Sequence, residues 1–134
     1  MLFSKMNYKE YAPVVLRISI SLMILWFGFT SIFNHEFLVG YLPEFFYSLE
    51  ISLQSIMLLN GIFEIVFGTL LIIGLFTRAV AFILFLHILS IMFSLGYNDV
   101  AIRDFGLAFA TLAVFLNGAD KWSLDRKLKR NKLE

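Results

Sequence analysis

The chain has 134 residues, of which 60% are hydrophobic and 16% charged, with a formal net charge of +1 and no cysteine. Soluble domains run about 45–50% apolar and ~25% charged, so a soluble fold of this length would expose much of its apolar surface, a problem that a bilayer removes. The near-neutral balance points to no nucleic-acid partner. The absence of thiols excludes disulfide staples, dithiol relays and thiolate metal sites within this chain.

Residues 1–11 form a short polar start with Lys5 and Lys9, followed by an apolar run over 12–33. A helix of about 20 residues crosses a ~30 Å hydrocarbon core, and Pro13 suits the first turn of such a helix, where no backbone donor is lost. The run is long and lacks a small-x-small cleavage site at its end, so it reads as an uncleaved span rather than a signal peptide. Residues 34–52 are mixed, hold no Lys or Arg, and carry Phe37, Tyr41, Phe45, Phe46 and Tyr47, the aromatic density of a membrane–water boundary. Pro43 is placed to open a short helix there. This segment is either a packed interfacial connector or a lid over a pocket between helices.

A second span is expected over 53–76, a tight turn at Thr77-Arg78, a third span over 78–95, a turn at 96–99, and a fourth span over 100–116 that ends at Asn117-Gly118. The tail, 119–134, is polar and basic. The expected fold is therefore all-α: one integral membrane domain, a four-helix bundle with a short interfacial segment between its first two spans. With both termini in the cytoplasm, ten of the eleven Lys and Arg lie on the inner side and only Arg103 on the outer. The positive-inside rule then gives an inner (plasma) membrane protein with its N and C termini cytoplasmic and its basic tail near anionic lipid.

Charged groups inside the runs are the candidate functional residues. Glu64 lies near the middle of the second span and His87 near the middle of the third; Arg17 is one turn from the inner end of the first, and Arg103-Asp104 about one turn inside the outer end of the fourth. A charge at the bilayer centre costs roughly 2.5–3.5 kcal/mol on insertion scales, so such groups face the bundle interior and seek partners. At about 100° per residue, Arg17, Ser21, Gly28 and Ser31 share one stripe, Asn60, Gly61, Glu64 and Gly68 a second, His87, Ser90 and Ser94 a third, and Arg103, Gly106, Ala110 and Asn117 a fourth. Small and polar faces of this kind pack helix against helix. Glu64 is either a hydrogen-bonded core acid or a proton-handling or ligand-anchoring group, and His87 either its neutral partner or part of the same relay. Arg17 is expected to snorkel to the cytoplasmic headgroups. Asp104 suits the positive end of the fourth helix, and Arg103 pairs inward with Glu64, reaches a headgroup, or holds an anionic substrate head. Two histidines, His35 and His87, are too few for a zinc site of their own. One is at the outer boundary and the other near midplane, which disfavours haem, so no metal and no covalently bound cofactor is expected.

Four motifs occur in order: Leu16-Arg17 followed by a small-residue run to Gly28; Glu64-x3-Gly68-x5-Gly74-x2-Thr77-Arg78; Arg103-Asp104-x-Gly106; and Gly118-x3-Trp122-Ser123-Leu124-Asp125. Together they resemble the DoxX family of small four-helix membrane proteins, over roughly residues 11–127. One departure is Ser31, where many relatives carry a lysine near the end of the first span. The resemblance implies an association with quinone-linked oxidation, including thiosulfate:quinone oxidoreductase, or a role in scaffolding redox or detoxification enzymes. It also implies that Arg17, Glu64, Arg78, Arg103 and Asp104 occupy the family's recurring polar positions. Three roles follow as expectations: an accessory subunit that binds a quinone-like or lipid molecule and supports a membrane redox partner; a catalytic component of a thiosulfate- or quinol-oxidising complex; and a homo-oligomeric scaffold. Glu64, His87, Arg103, Asp104 and Asn60 are the candidate ligand-binding or proton-handling residues, with Arg17 and Arg78 structural.

Overall fold

The computed structural model describes residues 7–133, and among them the structure is all-α. Four long helices form the bundle: α1 (Tyr8–Phe33), α4 (Leu53–Ile73), α5 (Thr77–Leu95) and α6 (Asp99–Asn117). Between α1 and α4 run two short helices, α2 (His35–Val39) and α3 (Glu44–Tyr47), and α7 (Leu124–Asn131) lies in the tail. α1, α4 and α5 are long and apolar enough to cross a membrane. α6 matches α5 in length and packs along it, but carries Asp99, Arg103 and Asp104 in its first six residues.

The ends follow from local chemistry. Ser52 caps α4, its hydroxyl accepting from the Ser55 amide, and Asn98 caps α6 by accepting from the Ala101 amide at 2.8 Å. α4 stops at Ile73 rather than Phe76 because Gly74 turns into the left-handed region (φ 72°) and its amide returns to Leu70 and Leu71 carbonyls. α1 starts four residues before the expected Ala12. Pro13 therefore lies in its second turn, and the bond it cannot donate would go to Lys9, at the exposed end of the helix. Pro43 precedes α3 as expected.

The bundle is two close helix pairs, α1 with α4 and α5 with α6, set against each other. Glycine makes the first pair possible. A Cβ on Gly61 would stand 2.7 Å from the Gly28 carbonyl oxygen and 2.6 Å from Ile32, and one on Gly28 would stand 2.9 Å from Ile65; only bare backbone allows that approach. Ile24, Leu71, Ala81, Leu84 and Ala108 fill the space between the pairs. Outward, α1 and α4 present Val15, Leu22, Phe29, Leu59, Ile62 and Val66, an apolar coat suited to lipid.

The buried face of α6 differs from the expected one. Ala101, Asp104, Ala108, Thr111 and Val114 face inward, whereas Arg103, Gly106 and Asn117 are exposed and Ala110 is half-buried. Gly106 has nothing near its missing Cβ. Phe85 and Phe109 meet edge to face and Phe82 packs on Phe115, so aromatic pairs join α5 to α6 beside a buried stripe of small residues that is not the expected one.

Candidate functional site

The two ends of the bundle are built differently. At one end meet the start of α1, the α4–α5 turn and the tail. Here Arg17 is 1% exposed. Its Nε donates to Asp120 Oδ2 at 2.6 Å and a terminal nitrogen to Asp120 Oδ1 at 3.2 Å, while the other nitrogen donates to the Leu71 carbonyl at 2.8 Å and to that of Ile72. This corrects the snorkelling expectation: the guanidinium turns into the bundle, where a carboxylate and two of the last carbonyls of α4, those of Leu71 and Ile72, accept from it. Asp120 also accepts from the Trp122 amide at 2.9 Å. Two turns of chain later, Asp125 accepts from the Phe76 and Thr77 amides at 2.8 and 2.7 Å. It thereby caps α5, whose own N-cap residue, Phe76, offers no side-chain acceptor. Gly118 lies under Arg78, with a Cβ there falling 2.5 Å from the Arg78 Nε. Arg17 is thus bonded within the protein; its partner Asp120, and Asp125 as the cap of α5, are the residues that sequence reasoning missed. A signal was available: a deep arginine needs a counter-ion, and the tail holds few acids.

The opposite end opens into a cavity of about 400 Å³. Its floor takes Ser31 from α1, Asn60 and Glu64 from α4, and His87 from α5. Arg103 and Asp104 line it from α6, and Phe37, Tyr41, Leu42 and Phe46 of the α2–α3 segment roof it. Of the two readings of residues 34–52, the structure takes the lid. All five candidate residues, Glu64, His87, Arg103, Asp104 and Asn60, are brought to this one cavity.

His87 Nε2 stands 3.4 Å from Glu64 Oε1, at the long end of hydrogen-bond reach. Either group can donate, an imidazole N–H to a carboxylate or a carboxylic acid to a neutral imidazole. The His87 ring also packs on Phe63, centroids 4.5 Å apart. Glu64 is 7% exposed and Ser31 1%, and both Glu64 Oε2 and Ser31 Oγ lack a hydrogen-bond partner. Arg103 does not reach Glu64. Its Nε and a terminal nitrogen donate to Asp104 Oδ1 at 3.0 and 2.9 Å, and the guanidinium covers the Phe27 ring at 5.1 Å. Asp104 sits beyond the first turn of α6, so Arg103, not the helix dipole, is its partner.

A buried hydroxyl and a carboxyl oxygen without partners each cost about 1–3 kcal/mol in apolar surroundings. Here both border one roofed cavity whose other walls are apolar or aromatic. Such an arrangement is chemically suited to an amphipathic molecule: the floor offers donors and acceptors to a small polar head, the lid and helices offer apolar surface to a ring or chain, and Arg103 adds a cationic group at the wall.

The family model described as DoxX matches residues 12–97, a stretch from α1 to just past α5 that includes Glu64, His87 and the lid. No curated protein and no solved structure matches the chain.

Proposed function

The chain belongs to the DoxX family, and on that premise we propose that it is a membrane accessory subunit that binds a quinone-like or lipid molecule in the lidded cavity and supports a redox partner. The observation that carries this reading is the pair of unpartnered buried oxygens, Glu64 Oε2 and Ser31 Oγ, at the polar floor of a cavity roofed by apolar and aromatic side chains. A quinone head offers carbonyl oxygens that accept from the Ser31 hydroxyl, from a protonated Glu64 and from His87; its quinol form donates to the same atoms. The chain has no cysteine, so electrons are assigned to the partner, and this chain's residues bind, orient and handle protons.

In this reading α6 is the fourth span, and both termini lie in the cytoplasm of the plasma membrane. The geometry that supports it is the meeting of the start of α1, the α4–α5 turn and the basic tail at one end of the bundle. Arg103, the one remaining Lys or Arg, lines the cavity toward the other end.

The test is retention of ligand. Organic extracts of the detergent-purified protein should yield a quinone or a specific lipid by mass spectrometry. A short-chain quinone should bind the wild type and lose most of its affinity in Glu64→Gln, with folding followed separately by gel filtration. Complete absence of quinone and lipid from a well-folded sample, with native mass spectrometry showing only bare copies of the chain, would sink the ligand reading in favour of a homo-oligomeric scaffold.

A further inference from the structure

The cavity has a direction. On its outer side α5 presents Ser94, Ser90 and His87 on successive turns, all lining the cavity. Ser90 Oγ donates to the His87 carbonyl and Ser94 Oγ to the Ser90 carbonyl, both at 2.7 Å. Each hydroxyl has spent its hydrogen on the helix and keeps its lone pairs for a water. Both serines are exposed and Asn60 of α4 is half-buried, so a stripe of polar groups lining the cavity leads from the α2–α3 end down to the Glu64–His87 pair.

Below that pair the stripe stops. Gly68 of α4 seats against Leu25 of α1, where a Cβ would come within 3.0 Å, and Leu71, Ala81, Leu84 and Ala108 are wholly buried. Glu64 to Leu71 is seven residues, about 10 Å of helix; the hydroxyls in this layer, Ser21 and Thr111, each donate to their own helix, are wholly buried and do not line the cavity, so the layer is closed by packing rather than open to water. Beyond it lies the Arg17–Asp120 pair, itself fully paired. The groups facing Glu64 can be named for every packed element: Ser31 and Gly28 of α1, which do not titrate; His87 of α5; and the Arg103–Asp104 pair of α6, which shares the cavity.

We propose that Glu64 exchanges its proton with one aqueous phase only, the one on the α2–α3 face, through a water path lined by His87, Ser90 and Ser94. The proposal deepens the function suggested above and rests on it only in taking this cavity as the site. A proton given up by a bound quinol, or taken up by a bound quinone, would pass through Glu64 and His87 to and from that face and never reach the tail side. The accessory subunit would then fix on which side of the membrane its partner's reaction acidifies.

The absence of cysteine makes the test clean, since each introduced thiol is unique. Ser90→Cys, Ser94→Cys and Leu84→Cys are expressed in sealed vesicles of both orientations, sorted by whether trypsin removes the basic tail. A membrane-impermeant cationic methanethiosulfonate is then applied from outside. Ser90→Cys and Ser94→Cys should react at least about tenfold faster from the α2–α3 face than from the tail face, because modification follows thiolate access; Leu84→Cys should react from neither. In parallel, wild-type vesicles with lumen and bath buffered separately are treated with dicyclohexylcarbodiimide, which labels protonated carboxyls, and Glu64 labelling is read by peptide mass. It should follow the pH on the α2–α3 side alone. Equal modification from both faces, reaction at Leu84→Cys, or Glu64 labelling that tracks the tail side or ignores both sides overturns the proposal. Neither measurement uses a quinone. One-sided access without a retained ligand therefore defeats only the ligand reading, and a retained ligand with two-sided access defeats only this one.

Discussion

Replacing Asp120 by alanine strands a charge that cannot be neutralised. The two partners' side chains are each 2% exposed, and arginine keeps its proton at any working pH. With Asp120 gone, the guanidinium retains only the Leu71 and Ile72 carbonyls. Removing one member of a buried pair costs about 3–5 kcal/mol, and the Trp122 amide loses its acceptor as well. At ~2–4 °C per kcal/mol for a chain of this size class, the detergent-solubilised protein should lose on the order of 10 °C of thermal stability, read by heating followed by fluorescence-detected gel filtration. Asp120→Asn keeps the shape and an acceptor for Trp122 and should lose about half as much. Joint replacement, Arg17→Met with Asp120→Ala, removes the stranded charge and should recover part of the loss, leaving chiefly the cost of the uncapped Ile72 carbonyl, about 1–3 kcal/mol, since the Leu71 carbonyl keeps the Gly74 amide. An Asp120→Ala protein that melts within about 2 °C of wild type would mean that Arg17 reaches water or headgroups, and the inner-end lock would be wrong.

Three glycines form a graded series. Gly61→Ala drives a methyl into the Gly28 carbonyl backbone at 2.7 Å and should cost about 1–3 kcal/mol; Gly68→Ala meets side chains alone, Leu25 at 3.0 Å and Ile24 at 3.3 Å, and should cost less; Gly106→Ala meets nothing and should be neutral or stabilising by about 0.5–1 kcal/mol. The same thermal assay ranks them, and any other order argues against the α1–α4 contact. At the tail, the Tyr11 hydroxyl, and after it Glu10, raises the pKa of Lys121 above the usual lysine value of 10.5. An ammonium whose pKa rises on folding contributes stability that is fully present below its unfolded value and is lost as pH climbs through the folded value. Docking of the tail on α1 should therefore be constant from neutral pH to about 10 and loosen above 10.5. Trp122, edge-on to Tyr11 at 6.1 Å, reports it by fluorescence in a Trp26→Phe background, and loosening below pH 9 would contradict the contact.

Much of this architecture is legible in the order of residues because a bilayer simplifies the problem. Long apolar runs announce α1, α4 and α5, and an acid or an imidazole within such a run has to turn inward. Glu64 and His87 accordingly meet, as their matching depths suggest. The end of α4 is legible less closely: the apolar run reads on to Phe76, but the helix stops at Ile73, because Gly74, without a Cβ, takes the left-handed turn cheaply. The failures share a cause as well. Arg17 finds its partner 103 residues away, in a turn whose path no periodicity encodes. Asp125 caps a helix in another part of the chain, so local capping rules miss it. On α6 a small and polar stripe is buried, but it runs through Ala101, Asp104, Ala108 and Thr111 rather than Arg103, Gly106 and Ala110; the phenylalanine rings that join the helix to α5 accompany a rotation that leaves Gly106 and Arg103 outward. Arg103 pairs with its neighbour Asp104, although adjacent helical residues do not face each other, because its long side chain folds back over Phe27.

These successes and failures divide along the length of the bundle, and the division bears on function. A cavity with unpartnered oxygens and a polar stripe is a local cost, since it replaces packed core with groups that favour water. The chain meets that cost by concentrating its specific bonds at the other end. There Arg17, Asp120 and Asp125 tie α1, the end of α4, the start of α5 and the tail into one connected set of hydrogen bonds. Below the cavity the closed apolar layer joins this lock to the site floor. The outer halves of α4 and α5 are thereby free to stand apart, roofed only by two short helices with no buried residue of their own. A segment anchored so lightly is drawn from the low end of local stability. If the cavity takes a ligand as proposed, its entry belongs to the α2–α3 segment, while the tail end holds the helices in register whether or not the site is filled.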